Sequence, residues 1–156
     1  MADDTLSATK TVAASAEKVF AVLADPATHA AVDGTGWVCD TVDGTRLTAS
    51  GQIFRMAMYH PNHPNKNYET VNWVLMFDPP RTISWATGED GDNGTIKFGG
   101  WLWRYDLVPV DDSTTRVTLT YDWSATSEPI RKLIGFPPFD EEHLANSLDH
   151  LADLVT

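Results

Sequence analysis

Cysteine, basic residues and long apolar runs are all scarce in this chain of 156 residues, and each scarcity removes a class of explanation. Cys39 is the sole cysteine, so neither an intramolecular disulfide nor a thiolate metal cluster can form within one chain. No basic residue or helix start adjoins Cys39, so it reads as a small buried hydrophobe rather than a reactive thiol. Only 11 Lys and Arg stand against 22 Asp and Glu, a formal net charge of −11. That field repels polyanions, and no basic stripe is present to neutralise phosphates, so nucleic acid and anionic membrane surfaces are not expected partners. The longest apolar run, Val19 to Ala24, is too short to cross a bilayer, and Met1-Ala-Asp-Asp-Thr5 lacks the apolar stretch of a secretory signal. A cytoplasmic setting is the expectation.

Apolar residues at 42 % and charged residues at 21 % fit an ordinary globular chain and exclude global disorder. No internal repeat, low-complexity tract or linker interrupts it, so residues 1–156 read as a single domain. Alternation of large apolar and polar residues dominates the middle. It recurs in Glu69 to Phe77, Ile83 to Trp85, Trp101 to Leu107 and Val117 to Trp123. Successive side chains of a strand point to opposite faces, so Trp73, Trp85, Trp101, Trp103, Tyr105, Tyr121 and Trp123 are expected to share one surface of an antiparallel sheet.

Leu6 to Val12 reads as a first strand. Ser15 then caps a helix whose Ala16, Val19, Phe20 and Leu23 share a face, stopped by Asp25-Pro26. Ala27 to Val32 reads as a second short helix, closed by Asp33-Gly34. From Trp37 to Trp123 about six strands are separated by turn chemistry at Asp43-Gly44, Pro61 to Asn67, Asp78-Pro79-Pro80, Gly88 to Gly94 and Asp111-Asp112-Ser113. After Phe136-Pro137-Pro138, a last helix carries Leu144, Ala145, Leu148, Leu151, Ala152 and Val155 at helical spacing. Asp140 is its expected cap, and Phe139 is expected to staple onto Leu144. The order argues for an α+β domain whose helices lie on the aromatic face of the sheet.

Five stretches carry a family resemblance: Ala14-Ser-Ala-Glu-Lys-Val-Phe20; Asp25-Pro26 with His29 and Asp33-Gly34-Thr-Gly36; Phe77-Asp-Pro-Pro-Arg-Thr-Ile83-Ser-Trp85; Trp103-Arg-Tyr105-Asp-Leu107; and Thr120-Tyr-Asp-Trp123. In order and spacing the chain resembles the START-like, helix-grip superfamily labelled SRPBCC, and within it the polyketide cyclase/dehydrase-like proteins. The resemblance implies one START-like domain over 1–156. It also implies a curved antiparallel sheet of about six or seven strands wrapped around the C-terminal helix, two short helices after the first strand, and a cavity that holds an apolar small molecule. It does not imply a reaction, because such folds host cyclases, dehydratases, carriers and chaperone activators.

If the pleat places Trp73, Leu75 and Phe77 inward, Glu69 shares their phase. A carboxylate against apolar walls is held toward its neutral form, which suits a general acid or base, whereas a solvated glutamate or a partner of Arg55 or Arg104 is the structural alternative. Tyr105 and Tyr121 fall on the inward phase of adjacent strands, either as donors to a ligand carbonyl or enolate or as packed rings. The expected ligand-binding set is Met56, Met58, Trp73, Trp85, Trp101, Trp103, Tyr105, Tyr121 and Leu148, meeting an apolar or aromatic, polyketide- or lipid-like molecule. A cofactor-free cyclase or dehydratase using Glu69 as base with Tyr105 or Tyr121 is the enzymatic alternative, and an interaction module with a filled core is the third.

His60-Pro-Asn-His63 lacks a third ligand at a telling distance and reads as a polar loop, and His29 reads as a capping or structural histidine; no metal and no cofactor are expected. No phosphate loop, nucleophile elbow or cysteine–histidine motif is present. Thr82, Ser84, Arg104, Thr118, Thr120 and Asp122 fall on the outward phase, which is expected to be polar, with no large apolar patch.

Overall fold

A computed structural model describes residues 4–32, 38–41, 46–59, 67–90, 95–129 and 141–156, with the backbone alone at 30, 31, 38–41 and 90. The expected turns at Asp33-Gly34 and Asp43-Gly44, most of those from Pro61 and Gly88, the Phe136 to Asp140 break, staple and cap, and the side chains of Cys39, His60 and His63 lie outside the described residues. Among those described, seven strands form one antiparallel sheet: β1 (Thr5–Val12), β2 (Val38–Thr41), β3 (Ile53–Tyr59), β4 (Asn67–Asp78), β5 (Thr82–Asp90), β6 (Ile96–Asp111) and β7 (Thr114–Asp122). Their order is β1-β7-β6-β5-β4-β3-β2, so β2 to β7 run as a meander and β1 closes onto β7. No described helix is long and apolar enough to cross a membrane.

Helix α1 (Ala16–Leu23) begins where the sequence sets its cap. Ser15 is extended, and its hydroxyl accepts from the Lys18 amide at 3.2 Å. Ala16, Val19, Phe20 and Leu23 are buried, as their spacing requires. The chain restarts as a 3-10 turn (Pro26–Thr28) and the short α2 (His29–Val32). The C-terminal helix α3 (Glu141–Val155) buries Leu144, Ser147, Leu148, Leu151 and Val155 against β1, β7, α1 and α2. Its stripe differs from the expected one, since Ala145 is exposed and Ser147 faces in. Each fully buried leucine contributes about 1.5–3 kcal/mol of transfer free energy. The Lys10–Asp149 ion pair at 3.1 Å, exposed at both ends, contributes at most about 1 kcal/mol, so apolar packing holds the helix.

The phase of β4 corrects the sequence reading. Pairing with β5 shifts between Val74 and Met76, a bulge that reverses which side chains point inward. Before it, Thr70, Asn72 and Val74 face the core, while Trp73 is 43 % exposed on the outer face beside Phe98, their ring centroids 5.8 Å apart. Glu69 is exposed on that same outer phase. After the bulge, Phe77 packs edge-on against Phe20 at 5.3 Å. Leu75, at the bulge, is exposed. Trp73, Leu75 and Phe77 are therefore not one inward row.

The outer face is also less polar than expected. Ile53, Trp73, Met76 and Phe98 are exposed there, whereas Thr82 and Ser84 are buried. Thr82 Oγ1 donates to Asp106 Oδ1 at 3.1 Å, and Arg104 Nε holds the same carboxylate at 2.9 and 3.1 Å. In β6 a second irregularity falls between the pairs Ala86–Leu102 and Gly88–Phe98. Gly100 sits there at φ +95°, and an added Cβ would strike the Ala125 carbonyl, so this bend requires glycine. Trp101 and Trp103 follow the bend and pack against the core from partly buried positions.

Candidate functional site

The N-terminal helices fix a histidine over the sheet. Helix α1 leaves the Leu23 carbonyl without an intrahelical donor, and Asp25-Pro26 folds the chain back: Asp25 Oδ1 accepts from the Ala27 amide at 3.1 Å, and Thr28 Oγ1 reaches the Val22 and Asp25 carbonyls at 2.6 and 2.8 Å. The return places His29 Nε2 2.8 Å from the Leu23 carbonyl, where it donates. His29 thus caps the end of α1, in keeping with the sequence reading. Its ring lies flat on Trp85, centroids 5.0 Å apart and planes within 16°, with Phe54 edge-on at 5.4 Å. Burial pushes the imidazole below its ordinary 6.5, against the raising effects of the Leu23 bond and the Asp25 charge.

Beside His29 is a cavity of about 110 Å³. Its floor comes from the sheet: Phe54, Met56 and Met58 of β3, Thr70 and Asn72 of β4, Trp85 and Thr87 of β5, and Trp103 and Tyr105 of β6. Leu23, His29, Val32 and Ser147 line it from the helices. Phe54, Asn72 and Thr87 stand opposite one another across three strands. Thr87 Oγ1 donates to Asn72 Oδ1 at 2.8 Å, and Asn72 Nδ2 donates to Thr70 Oγ1 at 3.3 Å and the Phe54 carbonyl at 3.4 Å. A polar line is thereby embedded in an aromatic wall.

Of the expected ligand-binding set, Met56, Met58, Trp85, Trp103 and Tyr105 line this cavity. Trp73 is across the sheet from it. Tyr121 packs between Trp103 at 4.6 Å and Trp123 at 5.7 Å, and burial pushes its hydroxyl well above the usual 10.0. Trp101 and Leu148 belong to the surrounding core rather than to the described lining. Glu69, on the outer face, does not reach the cavity, and among the described lining residues there is no carboxylate. His29, Thr70, Asn72, Thr87 and Ser147 were not expected there. The available signal was Asn72 itself, a residue depleted in strands yet set in the middle of one.

A second depression of about 290 Å³ lies between α1 and Pro79-Pro80, lined by Phe20, Leu47, Phe77 and Arg46. It is shallow, and its cation is engaged: Arg46 meets Asp25 at 3.2 Å and the Ala21 carbonyl at 3.0 Å. The deeper, ring-walled cavity is the stronger candidate. Among the described residues, no three His, Cys, Asp or Glu side chains are gathered as a metal site.

Comparison with known proteins agrees with this architecture. An uncharacterized protein of Mycobacterium tuberculosis, Rv0088, is 28 % identical over 114 residues, 73 % of this chain; the match spans only 45 % of that relative's length. Among solved structures, Ms6760 from Mycobacterium smegmatis aligns with a TM-score of 0.67 at 17 % identity, covering 97 % of this chain and 90 % of that one. Norcoclaurine synthase from Thalictrum flavum, in complex with dopamine and hydroxybenzaldehyde, aligns at 0.62 and 16 %, covering 97 % and 85 %. At such identities these two establish the fold alone. Residues 3–156 match the model of one family throughout, and the chain belongs to that family, polyketide cyclase / dehydrase and lipid transport.

Proposed function

We propose that the cavity under His29 binds one small, neutral, largely aromatic molecule of about single-ring size. The observation that carries this reading is the wall itself, in which Phe54, Trp85, Trp103 and Tyr105 surround about 110 Å³ with Met56 and Met58 as adaptable neighbours. Size favours the smaller ligand classes. Ordinary ligand pockets run to roughly 300–1,000 Å³, and an apolar cavity of about 150 Å³ takes a benzene ring. The volume here suits a monocycle and is short of a fused polyketide or a lipid chain. Charge points the same way, since His29 is held neutral and the described lining offers no cation for an anionic group. Were the site to turn a ligand over, the chemistry would draw on His29 and Tyr105, because Glu69 is on the far face.

A tryptophan-fluorescence titration tests the reading, because Trp85 and Trp103 are in the wall. Monocyclic aromatics are expected to give saturable quenching at one site per chain, with no response to fused polycycles or long acyl chains. Saturation by the larger ligands alone would overturn the size argument.

A further inference from the structure

Among the described residues, His29 spends only one of its two ring nitrogens on the fold. A carbonyl can only accept, so the 2.8 Å contact with Leu23 puts the proton on Nε2 and leaves Nδ1 of the neutral ring as a bare acceptor. No described residue donates to Nδ1, and Nδ1 is not sealed off as a buried orphan. The residue is nevertheless only 9 % exposed, and it lines the cavity. The neighbouring amide is differently placed. Both N–H groups of Asn72 are directed at Thr70 and Phe54, and its oxygen already accepts from Thr87. Asn72 therefore has no spare donor for a ligand acceptor, whereas His29 has a lone pair for a ligand donor.

We infer that His29 Nδ1 is the specificity-determining acceptor of this cavity, selecting ring-sized neutral molecules that carry a hydroxyl donor, phenols being the simplest class, over hydrocarbons of the same shape. The inference rests on the cavity being a ring-binding site, and the face-on stack of His29 with Trp85 gives it a fixed direction. The imidazole plane is held by the Leu23 bond on one edge and the indole beneath, so the lone pair in that plane keeps one direction without a ligand having to order it.

The test compares phenol with toluene, which differ by a hydroxyl for a methyl, in titrations of the full chain at neutral pH followed by amide chemical shifts and by the ¹⁵N resonance of His29 Nδ1. In a cavity with no acceptor, stripping water from the phenol hydroxyl would leave phenol about tenfold or more weaker than toluene. The expected result is that phenol binds at least as tightly as toluene, and that Nδ1 shifts with phenol and stays in place with toluene. In His29→Phe, which keeps a ring against Trp85, phenol is expected to fall about tenfold relative to toluene, with the dispersion of the amide spectrum reporting that the variant is folded. If that variant does not fold, the wild-type pair and the Nδ1 shift decide the matter. Toluene tighter than phenol with Nδ1 unmoved would overturn the role of His29 while leaving the ring site standing. Saturation by neither would overturn the ring site and the inference with it.

Discussion

His29 lies flat on Trp85, ring centroids 5.0 Å apart, and the same imidazole donates to the Leu23 carbonyl at 2.8 Å. One residue therefore caps the end of helix α1, lines the cavity and joins the N-terminal helices to the sheet. A capping histidine and a wall histidine are the same side chain.

That double role makes stability depend on pH. Burial depresses the native imidazole below 6.5, so the unfolded chain takes up a proton first as the solution is acidified. The contribution is fully present above 6.5 and is lost as the pH falls from there toward the depressed native value. Urea unfolding across this range is expected to show the decline in wild type and a shallower one in His29→Phe. At neutral pH the variant is expected to be about 1–3 kcal/mol less stable, because the Leu23 carbonyl loses its donor.

The outer-face placement of Glu69 and Trp73 separates two accounts of the site. Glu69→Gln and Trp73→Phe are expected to leave ring binding unchanged in a fluorescence or chemical-shift titration. For Glu69→Gln, stability should stay within about 0.5 kcal/mol, as for an exposed residue away from any cap or network. Loss of binding in either variant would return the site to the wrong side of the sheet.

The bend in β6 requires glycine at position 100. Gly100→Ala would place a methyl group on a backbone at φ +95° and against the Ala125 carbonyl. The left-handed conformation alone costs roughly 1–2 kcal/mol, with the clash in addition, and thermal unfolding is expected to show the loss. Gly51, also at positive φ, has open space around its Cβ position, so Gly51→Ala is expected to show the conformational cost without the clash.

Helix α3 is held by its apolar stripe. Leu151→Ala is expected to cost about 2–5 kcal/mol in denaturant unfolding, since Leu151 is fully buried. Lys10→Met, which breaks the exposed pair with Asp149, is expected to cost at most about 1 kcal/mol.

Where the chain alternates without interruption, the sequence was a sufficient guide. Trp103, Tyr105 and Leu107 face inward in register with Ile83 and Trp85, and Ser15 and Asp25-Pro26 bound α1 as their chemistry demands. Reading failed in β4 because Trp73, Leu75 and Phe77 form a perfect apolar alternation on paper, yet the bulge at Leu75 divides it. An extra residue changes the phase without leaving a mark in the pattern. The polar line of Thr70, Asn72 and Thr87 was illegible for a related reason. Polar side chains in strands read as outward until the hydrogen bonds that satisfy them inside are visible. His29 reads in sequence as a capping or structural histidine, but its place over Trp85 depends on how the 3-10 turn folds back on the sheet, a tertiary relation that local spacing does not encode.

The most direct measurement is a set of intermolecular nuclear Overhauser contacts from toluene bound to the full chain. The account predicts contacts with the methyl groups of Met56 and Met58 and the ring of Trp85, and none with Trp73 or Phe98. Contacts confined to Trp73 and Phe98, or saturable binding with no contact to Trp85, would contradict it.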